Sequence, residues 1–367
     1  MQLKKSFGTL SLSLIFVSPF FAQTASPTPP VVEDDDVIKV ESRLVVVPVS
    51  VLDANGQPVL GLKAQDFRVA EDNKTQEISQ VGDAEKVPLE IALLFDISAS
   101  TDAMFQFEQE TAAKFLQQVM RPDDRATIFT VGESATIIQA RDSADKSAGA
   151  IKSIQPTKQQ TAFYDSVNAA ANYLQKNAPQ GRRRVIVVIS DGDDTNSRGI
   201  LAAIFAAERK IVEAETSREK LRGIRVKARD AAKIREQEKV LKSLQNADAV
   251  FYSINPGGNS YQLNPSSVFG QSNLQKFAEQ TGGTAFLPKF QPITLKDNLQ
   301  NSYNVRFNQE MLTKIFRQLA SELQAQYLVQ YYSDGNFPTN KYVKLNVGLS
   351  NPQNLRVRAR QGYFVKN

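Results

Sequence analysis

The 367-residue sequence contains no cysteine, no histidine and no tryptophan. Without cysteine there are no disulfides, iron–sulfur clusters, thiolate zinc sites or cysteine nucleophiles. Without histidine there is no Ser-His-Asp triad, no His-ligated metal and no His general base. A metal site in this chain must be assembled from oxygen ligands, which favour Mg²⁺, Mn²⁺ or Ca²⁺ over zinc or copper. Long hydrophobic runs are scarce too: after residue 21 no stretch resembles a membrane span. What remains is an ordinary globular composition, 41% hydrophobic and 23% charged, with a net charge of +5. The length suits about two domains.

Lys4 and Lys5 precede an apolar run over residues 10–21, the pattern of an export signal. Cleavage is expected near Ala22, although Phe20 departs from the usual small residue. Residues 23–40 read as a disordered leader, Pro-rich and then acidic over 33–36. The mature chain is therefore expected to be exported, periplasmic or secreted, without a membrane span.

Residues 42–51 are β-branched, with Val45, Val47, Val49 and Val51 on one face. Residues 67–70 and 76–81 read as a strand pair around the turn at 71–74. Together, residues 41–87 form a small N-terminal β module. From Leu89 the pattern becomes alternation. Strands are expected at 89–95, 126–131, 134–139, 184–189, 249–254 and 285–287. Helices are expected at 105–120, 162–176 and 274–281, the first with Phe105, Ala112, Phe115, Leu116 and Val119 inward. Apolar strands alternating with helices predict an α/β fold over residues 88–290: a doubly wound, mostly parallel sheet covered on both faces. Residues 291–367 read as a helix near 308–324, a strand at 326–332, and a hairpin of 341–349 with 355–360. This hairpin is expected to pack with the N-terminal module, and Arg356, Arg358 and Arg360 to form a solvated face.

Residues 200–247 carry one long helical pattern. From Glu208 to Lys242 there are 12 basic and 7 acidic residues, so the positive excess sits here. Gly223 is a candidate turn that would convert one long helix into a hairpin. A protruding hairpin, a self-associating coiled coil and an anion-binding arm are all open readings. The export signal and the lack of interleaved aromatics argue against nucleic acid.

The chemistry concentrates at strand ends. Asp96-Ile97-Ser98-Ala99-Ser100 follows the first strand of the alternating region, and Ser190-Asp191-Gly192-Asp193-Asp194 follows the strand at 184–189. Thr161 precedes a helix between them. In a doubly wound sheet the carboxyl ends of the strands form the ligand crevice. Three hydroxyls (Ser98, Ser100, Thr161) and two carboxylates (Asp96, Asp191) suit a hard cation such as Mg²⁺, which retains waters that the carboxylates can bridge. A partner's Asp or Glu would then complete the shell. Asp193 and Asp194 read as solvent-facing turn residues, and Asp165 as a first-turn helix charge.

D-x-S-x-S after an apolar strand, T-A-F-Y-D before a helix, and V-V-I-S-D-G-D-D-T after the next strand resemble the von Willebrand factor type A (VWFA) family. The resemblance implies a VWFA, Rossmann-like domain over residues 88–290. It also implies a metal-ion-dependent adhesion site at Asp96, Ser98, Ser100, Thr161 and Asp191. The flanks, LVVVPVSVLDANGQPVLGLKAQDFRVAEDNKTQEI and QYLVQYYSDG with RVRARQGYF, resemble VWFA-related exported bacterial proteins of the type catalogued in Acidobacteria. Two features depart from the family pattern: Gln159-Gln160 before the threonine, and the length of the 200–247 helical insertion.

The expected function is a non-enzymatic, divalent-cation-dependent protein-binding module whose partner supplies an acidic side chain. The alternative is a structural or assembly protein, acting through the insertion and the β module, in which the metal only braces loops. Phosphoryl transfer at Asp96 lacks a paired Lys or acid and a Gly-rich phosphate loop.

Overall fold

The computed structural model describes residues 43–98, 102–157, 159–210, 217–256, 265–293 and 297–366. The expected signal segment, the leader and Ser100 lie outside them.

The chain opens with β1 (Arg43–Leu52), β2 (Phe67–Glu71), β3 (Lys74–Gln76) and β4 (Ile78–Asp83). It continues through β5 (Leu89–Asp96), α1 (Asp102–Val119), β6 (Arg125–Val131), β7 (Ala135–Asp142), α2 (Ala144–Lys152), α3 (Phe163–Asn177) and β8 (Arg183–Ile189). Then come α4 (Arg198–Glu208), α5 (Arg218–Asn246), β9 (Ala249–Ile254), α6 (Pro265–Thr281), β10 (Ala285–Phe286) and α7 (Asn298–Gln324). The last strands are β11 (Tyr327–Ser333), β12 (Tyr342–Leu349), β13 (Arg356–Ala359) and β14 (Gly362–Phe364).

The central sheet has the order β10-β9-β8-β5-β6-β7, parallel except for β7 at the edge. Side-chain alternation along β5 divides its residues between two cores. Leu89, Ile91, Leu93 and Phe95 face α1 and α7, while Ala92 and Leu94 face α3, α5 and α6. This is the expected doubly covered sheet. Glu90 breaks the apolar run and is 3% exposed. Arg141 reaches it at 2.6 Å and Arg182 at 2.6 Å, so the buried charge is paired.

The flanks build a separate β module of two sheets, β13-β1-β11-β4 and β14-β12-β2-β3, which share a core around Val47, Val49, Val69, Val329 and Val343. Three expectations are corrected here. Residues 76–81 do not extend one strand pair: β2 turns through Asp72 and Asn73, both at positive φ, into β3, and β4 then joins β11 in the other sheet. β12 and β13 do not form a hairpin, because β12 pairs with β2 and β14 while β13 pairs with β1. The alternation in residues 341–349 and 355–360 reported a buried face but not which strand lay alongside. The helix before β11 belongs to the central domain: its Leu312, Phe316 and Leu319 enter the α1 core, with Phe316 5.3 Å from Phe115 between ring centroids.

The 200–247 segment contains two helices that pack on each other. Glu208 pairs with Arg225, and Gly199 lies against Glu236, so α4 and α5 run antiparallel as a hairpin. Gly223 is not the turn; it lies inside α5. Ser217 caps α5 instead, its hydroxyl accepting from the Lys220 N–H at 3.2 Å. Ile200, Ala232, Val240 and Leu244 anchor the base of the hairpin on the sheet. Among the described residues, no helix is long and apolar enough to cross a membrane.

Candidate metal site

Asp96 ends β5, and Ser190 and Asp191 follow β8, its parallel neighbour. The two loops therefore leave the sheet side by side at its carboxyl edge. The Asp96 carboxylate is held on both oxygens. Ser98 donates to Oδ1 through its N–H at 3.0 Å and its hydroxyl at 2.6 Å, and Ser190 donates to Oδ2 at 2.6 Å. Ser190 in turn accepts from the Gly192 N–H at 3.1 Å, so one hydroxyl bridges the first and third loops. Burial raises the Asp96 pKa, and the serine hydrogen bonds oppose the rise.

Asp191 is an exposed residue. The protein packed around its carboxyl, with the charges of Asp96 and Asp193, nevertheless raises its pKa, while the Asp193 N–H and Lys233 oppose this. Thr161 is 8% exposed and tied to the third loop. Its N–H donates to Thr195 Oγ1 at 3.0 Å, and its carbonyl accepts from the N–H groups of Thr195 and Asn196. Four of the five sequence-derived positions thus lie on loops joined by hydrogen bonds, and Ser100 is outside the described residues. Gln159 and Gln160 are both exposed, and the loop reaches Thr161 without a glycine.

Several residues at this edge had escaped the sequence reading. Asp194 is 1% exposed, not a solvent-facing turn residue. It accepts from the N–H groups of Tyr164, Asn196 and Ser197 and from the Ser197 hydroxyl at 2.5 Å, pinning the third loop to the start of α3. Burial raises its pKa. Asp193 is paired with Lys233 of α5 at 2.7 Å. Asn273 of α6 donates to the Gly192 carbonyl at 2.9 Å and accepts from Tyr164 Oη and Gln237 Nε2, linking the third loop, α3 and α5. Gly192, at φ +77°, meets Gly270 backbone to backbone; a Cβ on either would come within 2.5 Å of the other's segment.

Glu108 of α1 is 4% exposed, and burial followed by the charge of Asp96 pushes its pKa up to about 8. Its signal was present: position 108 falls between Phe105 and Ala112 on the inward stripe of α1. Asp165 behaves as a helix-start charge, accepting from the Arg198 N–H at 3.0 Å. Of the arginine stripe only Arg356 is exposed as expected, whereas Arg360 pairs with Asp248 at 2.8 Å and Arg358 lies 4.0 Å from Glu322.

The donor set fits a hard divalent cation. It offers hydroxyl and carboxylate oxygens only, and the charge of Asp96 already raises the cost of ionising Asp191, a cost that a cation would offset. The same edge lacks the donor chemistry of typical zinc or copper sites, having neither imidazole nor thiolate.

Residues 91–193 match the family model described as von Willebrand factor type A domain. No curated protein sequence matches the chain. Among solved structures, proximal thread matrix protein 1 from the mussel byssus is 14% identical, with a TM-score of 0.41. The match covers 69% of this chain and 50% of that one, so the chain spans about half the length of that relative. Another structure of the mussel protein is described as having a zinc-occupied MIDAS motif (TM-score 0.40, 14% identity, 69% and 50% covered). The PilB minor pilin from Streptococcus sanguinis also resembles the chain (TM-score 0.41, 14% identity, 65% and 62% covered). Residues 91–193, which include β6, β8 and most of β5 at the centre of the parallel sheet, are thus similar to a von Willebrand factor type A domain.

Proposed function

We propose that this chain is an exported, non-enzymatic binding module whose VWFA domain holds Mg²⁺ or Mn²⁺ at Asp96, Ser98, Ser100, Thr161 and Asp191. An acidic side chain of a protein or peptide partner would complete the site. When bound, the cation supplies a positive charge that the partner's carboxylate can meet. The chain's own residues position the oxygens: Ser190 and Ser98 orient the Asp96 carboxylate, and Asp194 and Asn273 fix the loop that carries Asp191. The observation that carries the reading is the Asp96 carboxylate, gripped by Ser98 and Ser190 at the edge where its charge is felt by Asp191.

The test is a pulldown from an envelope extract of the source organism. The bait is the chain from residue 23 onward, in Mg²⁺ or EDTA, with Asp96→Ala in parallel. A partner retained only by wild type in Mg²⁺ supports the proposal. Retention in all three conditions would sink it. That second outcome favours an assembly role for the helical hairpin, where Phe205 is 58% and Ile234 51% exposed.

A further inference from the structure

At the opposite end of the central sheet from Asp96, the amino-terminal ends of β8 and β9 meet β1 and β14 around a cavity of about 610 Å³. Arg43, Arg182, Arg183, Arg184, Arg360 and Lys366 line it, and among the described lining residues Asp248 is the one carboxylate. Asp248 serves both Arg360 and Lys366. Arg182 turns to Glu90. Arg183 donates to the Leu323 carbonyl at 2.8 Å and to Gln326 Oε1 at 3.0 Å, and burial lowers its pKa to about 10.

Arg43 and Arg184 form no ion pair with a carboxylate among the described residues. Arg184 donates to the carbonyls of Ala247 and Ala178 at 3.0 and 3.3 Å, and Arg43 stands 5.7 Å from the Tyr363 ring centroid. The Nε groups of Arg43, Arg184 and Arg360 are buried without an acceptor. Arg43 and Arg184 are half-buried, and a guanidinium partly withdrawn from water without a close carboxylate is unfavourable; its planar donors match a carboxylate or phosphate. The remaining wall is apolar, with Leu44, Val46, Val250 and Leu328 among its residues. The cavity volume is in the range of small-molecule sites.

We propose that this cavity binds a small amphipathic anion, with one carboxylate or phosphate head group on an apolar body, and that Arg43 and Arg184 receive the head group. Asp248 is shared by Arg360, Lys366 and, through its charge alone, Arg184, so the lining keeps an excess of positive charge that specifies the head, while the apolar wall specifies the body. The site is independent of the carboxyl-edge loops, so its occupancy is insensitive to EDTA.

The experiment is isothermal titration calorimetry on the full chain in EDTA, using octanoate, octyl phosphate, octanol and inorganic phosphate. Octanoate or octyl phosphate should bind about tenfold or more tightly than octanol or inorganic phosphate, and the tighter of the two names the head group. Arg43→Gln and Arg184→Gln should each weaken that binding about tenfold or more. Circular dichroism checks folding. Arg184 also braces two carbonyls, so Arg43→Gln, which removes no hydrogen bond seen here, decides the matter if Arg184→Gln unfolds. Equal binding of octanol and octanoate, wild-type affinity in Arg43→Gln, or no heat from any probe would each overturn the proposal.

Discussion

Lys233 Nζ lies 2.7 Å from Asp193 Oδ1, and the lysine is 2% exposed. The α4–α5 hairpin is therefore joined by an ion pair to the loop after β8, next to Asp194 and on the same short loop as Asp191. Removing Lys233 leaves the Asp193 carboxylate, 19% exposed, without its counter-charge. Lys233→Met is expected to destabilise the fold by about 3 kcal/mol. Adding Asp193→Asn should recover most of that loss, which urea unfolding of the two single variants and the double variant will measure. Additive losses would show that the pair is not coupled.

Asp194 satisfies three backbone N–H groups and one hydroxyl in a buried setting. Asp194→Ala is expected to cost about 3 kcal/mol, because the stranded donors lose water as well as their acceptor. Asp194→Asn keeps an acceptor and should cost about half as much. Equal losses in thermal or urea denaturation would show that the acceptor geometry is immaterial.

Two glycines make opposite predictions. A Cβ at Gly270 would come within 2.5 Å of the Asp191 carbonyl, so Gly270→Ala should destabilise by about 2 kcal/mol or more. A Cβ at Gly223 meets nothing within 4 Å inside α5, so Gly223→Ala should stabilise by about 1 kcal/mol. Denaturation midpoints decide both.

Glu108 yields a pH dependence. Its folded pKa, pushed up to about 8 from the ordinary value of 4.5, means the folded state holds the proton more tightly than the unfolded chain. Its stabilising contribution is full below about pH 4.5, declines as pH rises, and is lost above about 8. The burial-raised Asp96 and Asp191 act in the same direction. Without divalent cations, Glu108→Gln should flatten the decline between about pH 5 and 8 by roughly 3 kcal/mol, since a proton held only by the folded state costs about 1.4 kcal/mol for each pH unit climbed. An unchanged slope in melts of the variant would refute this.

Cation binding is measurable without a partner. Mg²⁺ or Mn²⁺ should raise the wild-type melting temperature, with about 2.7 kcal/mol gained at a hundredfold excess over Kd, and EDTA should reverse the gain. Asp96→Asn should show no such gain. Stabilisation that survives in the variant would place the cation elsewhere.

Much of the α/β region was legible because its strands are apolar on both faces and its helices carry one inward stripe. Those patterns identify β5, β8 and α1 from local residue order alone. The nearness of Asp96 and Asp191 was legible for a related reason: in a parallel sheet, residues that follow neighbouring strands emerge at one edge. Glu108 and Asp194 were harder. A charged residue on an inward stripe, or in a run of acidic turn residues, looks solvated until the elements that cover it are known.

Local sequence therefore determined most strands and helices of the α/β region, the absence of imidazole and thiolate chemistry, and the placement of carboxylates at strand ends, while α2 and β14 carried no pattern strong enough to read. Only the tertiary structure decided that β12 and β13 join different sheets, that α4 and α5 pack antiparallel, that Lys233 reaches Asp193, and that arginines from β1, β8 and the C-terminal segment surround one cavity. The physical reason is range. Periodicity reports which face of a segment is buried, whereas partner strands, ion pairs and cavity walls come from residues far apart in the chain that meet only after the layers pack.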